Sequence, residues 1–81
     1  MTIEELKTKL EALDVPQTWY SINDSVKPGA YILWEIHGFY DCFYFDERGN
    51  ECDRHRFMNE NDACEYLYNS LYNRFRRFQR T

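Results

Sequence analysis

The sequence predicts an α+β domain in the order α-β-β-β-α, a three-stranded antiparallel meander packed with an N-terminal helix and a longer C-terminal one. Three observations carry this. Apolar residues recur at steps of three and four near both ends, they alternate with period two in the middle, and glycine or proline marks each change of period. At 81 residues the chain is one domain, residues 1–81. A domain this small buries only about 60% of the surface its unfolded chain exposes, so its core is thin.

The first helix, residues 3–13, opens on Thr2 with Glu5 three positions later, a capping box, and carries Ile3, Leu6, Leu10 and Leu13 on one stripe. Val15-Pro16 stops it, because a residue before proline is pushed out of the helical region. The segment 17–29 reads as a linking loop anchored by Trp19, Tyr20 and Ile22 and closed by the turn Lys27-Pro28-Gly29. Strand 30–37 sets Ala30, Ile32, Trp34 and Ile36 on one face and Tyr31, Leu33, Glu35 and His37 on the other. After the turn at Gly38, strand 39–45 sets Tyr40, Cys42 and Tyr44 against Phe39, Asp41, Phe43 and Phe45. A polar loop, 46–50, leads to strand 51–57, polar enough to be an edge. The last helix is capped by Asn59, has acids in its first turn, and runs an apolar stripe through Cys64, Leu67, Leu71, Phe75 and Phe78.

Charge is unevenly spread. Residues 1–73 carry six Lys or Arg against fourteen Asp or Glu, net −8, whereas residues 74–81 carry four Arg and no acid. An acidic body argues against a surface that tracks phosphates and favours a basic partner. The tail arginines, Arg74, Arg76, Arg77 and Arg80, complement the helix dipole. Interleaved with Phe75 and Phe78, they also form the alternative site, a small RNA-binding or regulatory patch. The N-terminus has no basic stretch followed by an apolar run, no segment is apolar over a bilayer's width, and the three cysteines form no C-x-x-C pair. These features predict a cytoplasmic protein with free thiols, no cofactor and no membrane partner.

Catalytic signals are thin. Cys42 with His37 or His55 is the one thiol and imidazole combination, and no local signature supports it. Glu35 and Asp41 are near enough in sequence to approach across a hairpin, but paired carboxylates need burial to drive their pKa values apart. Cys52, Asp53 and His55 alternate faces, so two of them at most share a metal. The three glycines are scattered singly and make no phosphate loop.

What stands out is seven Tyr, six Phe and two Trp in a chain too short to hide them, set among carboxylates. Rings at the centre of a patch with charge around them suit a protein-binding surface. Glu35, Asp41, Asp46, Glu47, Glu51 and Asp53 are the expected charged contacts, with Tyr31, Trp34, Tyr40 and Tyr44 as expected anchors. Alternation forbids Tyr31 and Trp34 from sharing a face.

The order Trp19-Tyr20-Ser21-Ile22-Asn23, Lys27-Pro28-Gly29-Ala30, Phe43-Tyr44-Phe45-Asp46-Glu47-Arg48-Gly49-Asn50, Phe57, and Ala63-Cys64-Glu65-Tyr66-Leu67-Tyr68 resembles small bacterial immunity proteins of polymorphic toxin and contact-dependent growth inhibition systems. The resemblance spans almost the whole chain. It implies a non-enzymatic toxin inhibitor that binds the C-terminal domain of a cognate toxin, such as a nuclease with a basic cleft. The matched positions Trp19, Pro28, Phe45, Gly49, Phe57 and Leu67 belong to turns and core, so the resemblance assigns no contact residue.

Overall fold

A computed structural model describes residues 1–79. Its elements in chain order are α1 (Ile3–Ala12), a 3₁₀ turn (Gln17–Trp19), β1 (Tyr20–Ile22), β2 (Ala30–Ile36), β3 (Phe39–Phe45), β4 (Glu51–Phe57) and α2 (Glu60–Gln79). The architecture is α+β, as the periodicities predict. The sheet, however, has four strands in the order β1-β2-β3-β4, and β1 runs parallel to β2. The expected three-stranded antiparallel meander is therefore corrected to a mixed sheet. Three residues, Tyr20-Ser21-Ile22, are too few to display alternation, so β1 reads as loop.

A parallel pair normally needs a crossover of a dozen or more residues. Here residues 23–29 suffice, because side chains fasten them to the strands they join. Asn23, at φ 52°, donates its N–H to Leu33 O at 2.8 Å and accepts from Glu35 N at 2.8 Å. Ser21 Oγ donates to Ser25 O at 2.7 Å, and the Trp34 indole donates to Asp24 O at 3.1 Å. Val26 is thereby laid against the sheet.

The antiparallel part follows its turns. His37 and Gly38 both have positive φ, 49° and 84°, the combination that two-residue hairpins require, and Ile36 faces Phe39 across it. Asp46 organises the β3–β4 loop by accepting from Arg48 N at 2.9 Å and Asn50 N at 2.8 Å. A bulge interrupts the β3–β4 register between Cys42 and Tyr44, with Asp53 at φ 53° on the opposite strand.

Both helices pack on one face of the sheet. Leu6 and Leu10 of α1 and Cys64, Leu67 and Leu71 of α2 meet Leu33 and Cys42, all with 0% exposure. Full burial of one such leucine stabilises by about 2 kcal/mol. The capping box at Thr2 and Glu5 is formed, and Asn59 Oδ1 accepts from Asp62 N at 2.9 Å to start α2. Glu60 ties the helices together by accepting from Ile3 N at 2.8 Å. The predicted stripe on α2 ends early: Phe75 is buried, but Phe78 is 62% exposed, its ring centre 5.5 Å from that of Trp19. A 20-residue helix is about 30 Å long while a seven-residue strand spans about 23 Å, so α2 overhangs the sheet.

The other face has no helix, yet Ala30, Ile32 and Phe43 are buried there as a second, smaller core. Val26, Trp34 and Phe45 pack around them, and the Arg54 guanidinium lies 5.0 Å from the Phe43 ring centre. Of the three thiols, Cys42 and Cys64 are buried and Cys52 is half-buried.

Candidate functional site

The sequence-predicted residues divide into three groups. The first is used inside the fold. Asp41 is 1% exposed and accepts from Arg56 Nε at 2.8 Å, Arg56 Nη2 at 3.2 Å and Arg54 Nη2 at 2.8 Å. The Arg56 bonds lead, with Arg54 adding to them, in lowering the Asp41 pKa to about 2, against burial, which pushes it up. Asp41 is thus a buried carboxylate clasped by two arginines of its own chain. Glu51 pairs with Arg54, and Trp34 packs edge-on to Phe43 at 5.5 Å. Both lie on the helix-free side, apart from Tyr31.

The second group lies toward the β2–β3 turn. Glu35 is exposed there, and Tyr40, directly opposite it, donates its hydroxyl to Glu35 Oε2 at 3.4 Å.

The third group converges. Tyr31 and Tyr44 face each other across β2 and β3 with ring centres 5.0 Å apart. With Asp53, Tyr66, Asn73 and Arg77 they line a cleft of about 230 Å³ between the β4 bulge and α2. Tyr44 also forms the wall of a second depression with Asp46, Glu47, Arg48 and Asn50 of the β3–β4 loop. One tyrosine therefore joins two depressions, and Asp46, Glu47 and Asp53 flank it. Their roles differ: hydrogen bonds from the loop backbone, Asn50 N–H first, hold Asp46 below the usual carboxylate range, so it shapes the loop. Glu47 and Asp53 are exposed and make no ion pair among the described residues.

The helix-borne part of the cleft is absent from the sequence-predicted set. Tyr66, Ser70, Asn73 and Arg77 follow one another at steps of four, three and four, one or two residues behind the apolar stripe on α2. That spacing is readable in the sequence, but nothing in it says that the neighbouring stripe borders a cleft. Burial pushes the Tyr66 phenol up, and the Asp53 charge adds to it. The arginines of the helix end are drawn to rings. Arg74 lies 4.7 Å from the Trp19 ring centre and 5.7 Å from that of Tyr44, and Arg76 lies 6.0 Å from that of Tyr72. Arg80 lies outside the described residues.

The remaining chemical candidates do not assemble. Cys42 is enclosed by the core, its thiol donating to Ala63 O at 3.8 Å, and burial pushes it up to about 12, so it stays protonated. His55 stands opposite Cys42 in register, but its ring lies against Tyr66 at 4.9 Å and Phe57 at 6.4 Å. Glu35 and Asp41 occupy opposite faces. Among the described residues no three His, Cys, Asp or Glu side chains are placed to hold a metal ion, and no helix is long and apolar enough to cross a membrane. No protein family, no curated protein and no solved structure matches the chain.

Proposed function

We propose that the chain is a non-enzymatic immunity protein that binds a cognate bacterial toxin domain in the cytoplasm and blocks it. The contact surface centres on Tyr44, with Tyr31 beside it and Glu47 and Asp53 as exposed charges. The observation that carries the reading is this convergence: half-buried tyrosines bordered by Glu47 and Asp53, which make no ion pair among the described residues. Tyrosine supplies large contact area at little entropic cost, and exposed acids speed the approach of a basic partner. Asp41, Glu51 and Trp34 drop out of the contact set, because they are spent on the helix-free side of the sheet.

Co-expression with the product of the adjacent upstream gene tests the reading. Growth arrest by that product alone and recovery with this chain are expected, and Tyr44→Ala weakens the complex by about tenfold or more. A harmless neighbour, or toxicity that this chain leaves untouched, removes it. The alternative is an RNA-binding or regulatory module. It rests on Arg74, Arg76 and Arg77 standing among Trp19, Tyr72 and exposed Phe78. It requires RNA affinity that falls steeply with salt and is lost when the arginines are changed to Gln.

A further inference from the structure

We propose that the cleft between the β4 bulge and α2 anchors two oppositely charged side chains of the protein partner, a Lys or Arg against Asp53 and an Asp or Glu against Arg77. The proposal rests on the reading of the chain as a protein binder and names the chemistry that the same surface recognises. Asp53 and Arg77 line one cleft, yet they are not paired with each other or with any other described residue. On the helix-free face, by contrast, Arg54 and Arg56 pair with Asp41 and Glu51. The bulge sets Asp53 at positive φ on an edge strand, while Arg77 stands on the overhanging part of α2. Two charges held apart by two rigid elements leave a gap that an outside pair can close.

The walls favour such a pair. Tyr31, Tyr44 and Tyr66 wall the cleft with rings on which the stem of a partner's long side chain can lie, and Ser70 and Asn73 offer hydrogen-bonding groups beside them. At about 230 Å³ the space is smaller than the roughly 300–1,000 Å³ of small-molecule sites and admits side chains instead. Arg77, and Arg74 above Tyr44, would repel a partner patch that is only basic. A complementary patch must therefore carry an acid as well.

Calorimetry on the complex with the neighbouring gene's product, using wild type, Asp53→Asn, Arg77→Gln and the distant control Glu11→Gln, gives the decisive contrast. Asp53→Asn and Arg77→Gln are each expected to weaken binding by about tenfold, and Glu11→Gln by less than about twofold. Unchanged or tighter binding by Arg77→Gln overturns the proposal, since attraction of a basic partner to an acidic protein works in that direction. A second arm needs no toxin: nuclear magnetic resonance titration with Nα-acetyl-arginine amide and with Nα-acetyl-aspartate amide. The arginine probe is expected to shift the amides of Tyr44 and Asp53 in the millimolar range, on the order of 1–10 mM, and to lose the effect in Asp53→Asn. The aspartate probe is expected to shift Asn73 and Arg77. If neither probe shifts them, the cleft proposal falls even where the complex forms. If wild type binds no toxin but both probes shift these amides, the immunity reading fails and the cleft chemistry stands.

Discussion

On its helix side the sheet is closed by leucines of α1 and α2 packed over Leu33 and Cys42, while on the other side Ala30, Ile32 and Phe43 are equally buried with no helix above them. The second face is covered by a seven-residue crossover and by two arginine side chains. Arg54 and Arg56 are 40% and 58% exposed, and their guanidinium groups lie over the Phe43 and Phe39 rings, 5.0 and 5.3 Å from the ring centres, while bonding to Asp41. Asp41, fully covered, holds both arginines in that position. A domain too small for three layers thus covers its second face with long side chains pinned by one carboxylate. The helix-side core rests on apolar burial, and the other face depends on charge as well.

The largest effects test whether the helix-free face is a core at all. Leu67→Ala is expected to cost about 3 kcal/mol and Phe43→Ala about 3–4 kcal/mol in urea unfolding. A cost for Phe43→Ala below about 1 kcal/mol would break the comparison. Next comes Asp41→Asn, at about 2 kcal/mol at neutral pH, because two arginines lose their shared anchor. Since the folded-state pKa is lowered from 3.8 to about 2, the stabilisation is present above pH 4 and lost as pH falls toward 2. Acid titration of unfolding in wild type and Asp41→Asn checks this, with the two curves converging as Asp41 protonates. Arg56→Gln is smaller, about 0.5–1 kcal/mol, because most of that side chain is solvated and Arg54 still holds Asp41. Added salt narrows the difference from wild type. Trp34→Phe is the smallest, about 0.5 kcal/mol, from loss of the indole bond to Asp24 O, and thermal melting should register it.

The same contrast explains what the sequence discloses. Stripes at helical spacing give α1 and α2, alternation gives β2 and β3, and the facing rows Tyr31 with Leu33 and Tyr40 with Cys42 are placed correctly. Those signals arise from burial against a continuous layer. The short strand β1, the crossover and the arginine cover arise from single hydrogen bonds and ion pairs between residues distant in sequence, which leave no period to read. Asp41 shows the limit most clearly: in sequence it is one more acid among aromatic residues, and only the register that sets Arg56 opposite it makes it internal. The site was legible in part for the same reason. Tyr31, Tyr44 and Asp53 are visible as ring and charge, but the bulge that turns Asp53 toward α2 depends on β3–β4 pairing.

The three thiols mark the molecule at two depths, two in the core and one half-buried. Burial pushes the Cys42 and Cys64 thiols up to about 12 and about 11, so a thiol reagent reaches them in reactive form only after β3 separates from α2. Cys52 sits half-buried at the start of β4, its thiol 3.8 Å from Asp46 Oδ2 at the hairpin loop. Labelling rates followed by mass spectrometry therefore supply three internal clocks without any engineered probe. One reports breathing of the hairpin that borders Tyr44, and two report opening of the whole domain, so a partner that clamps the hairpin would slow the first clock most directly.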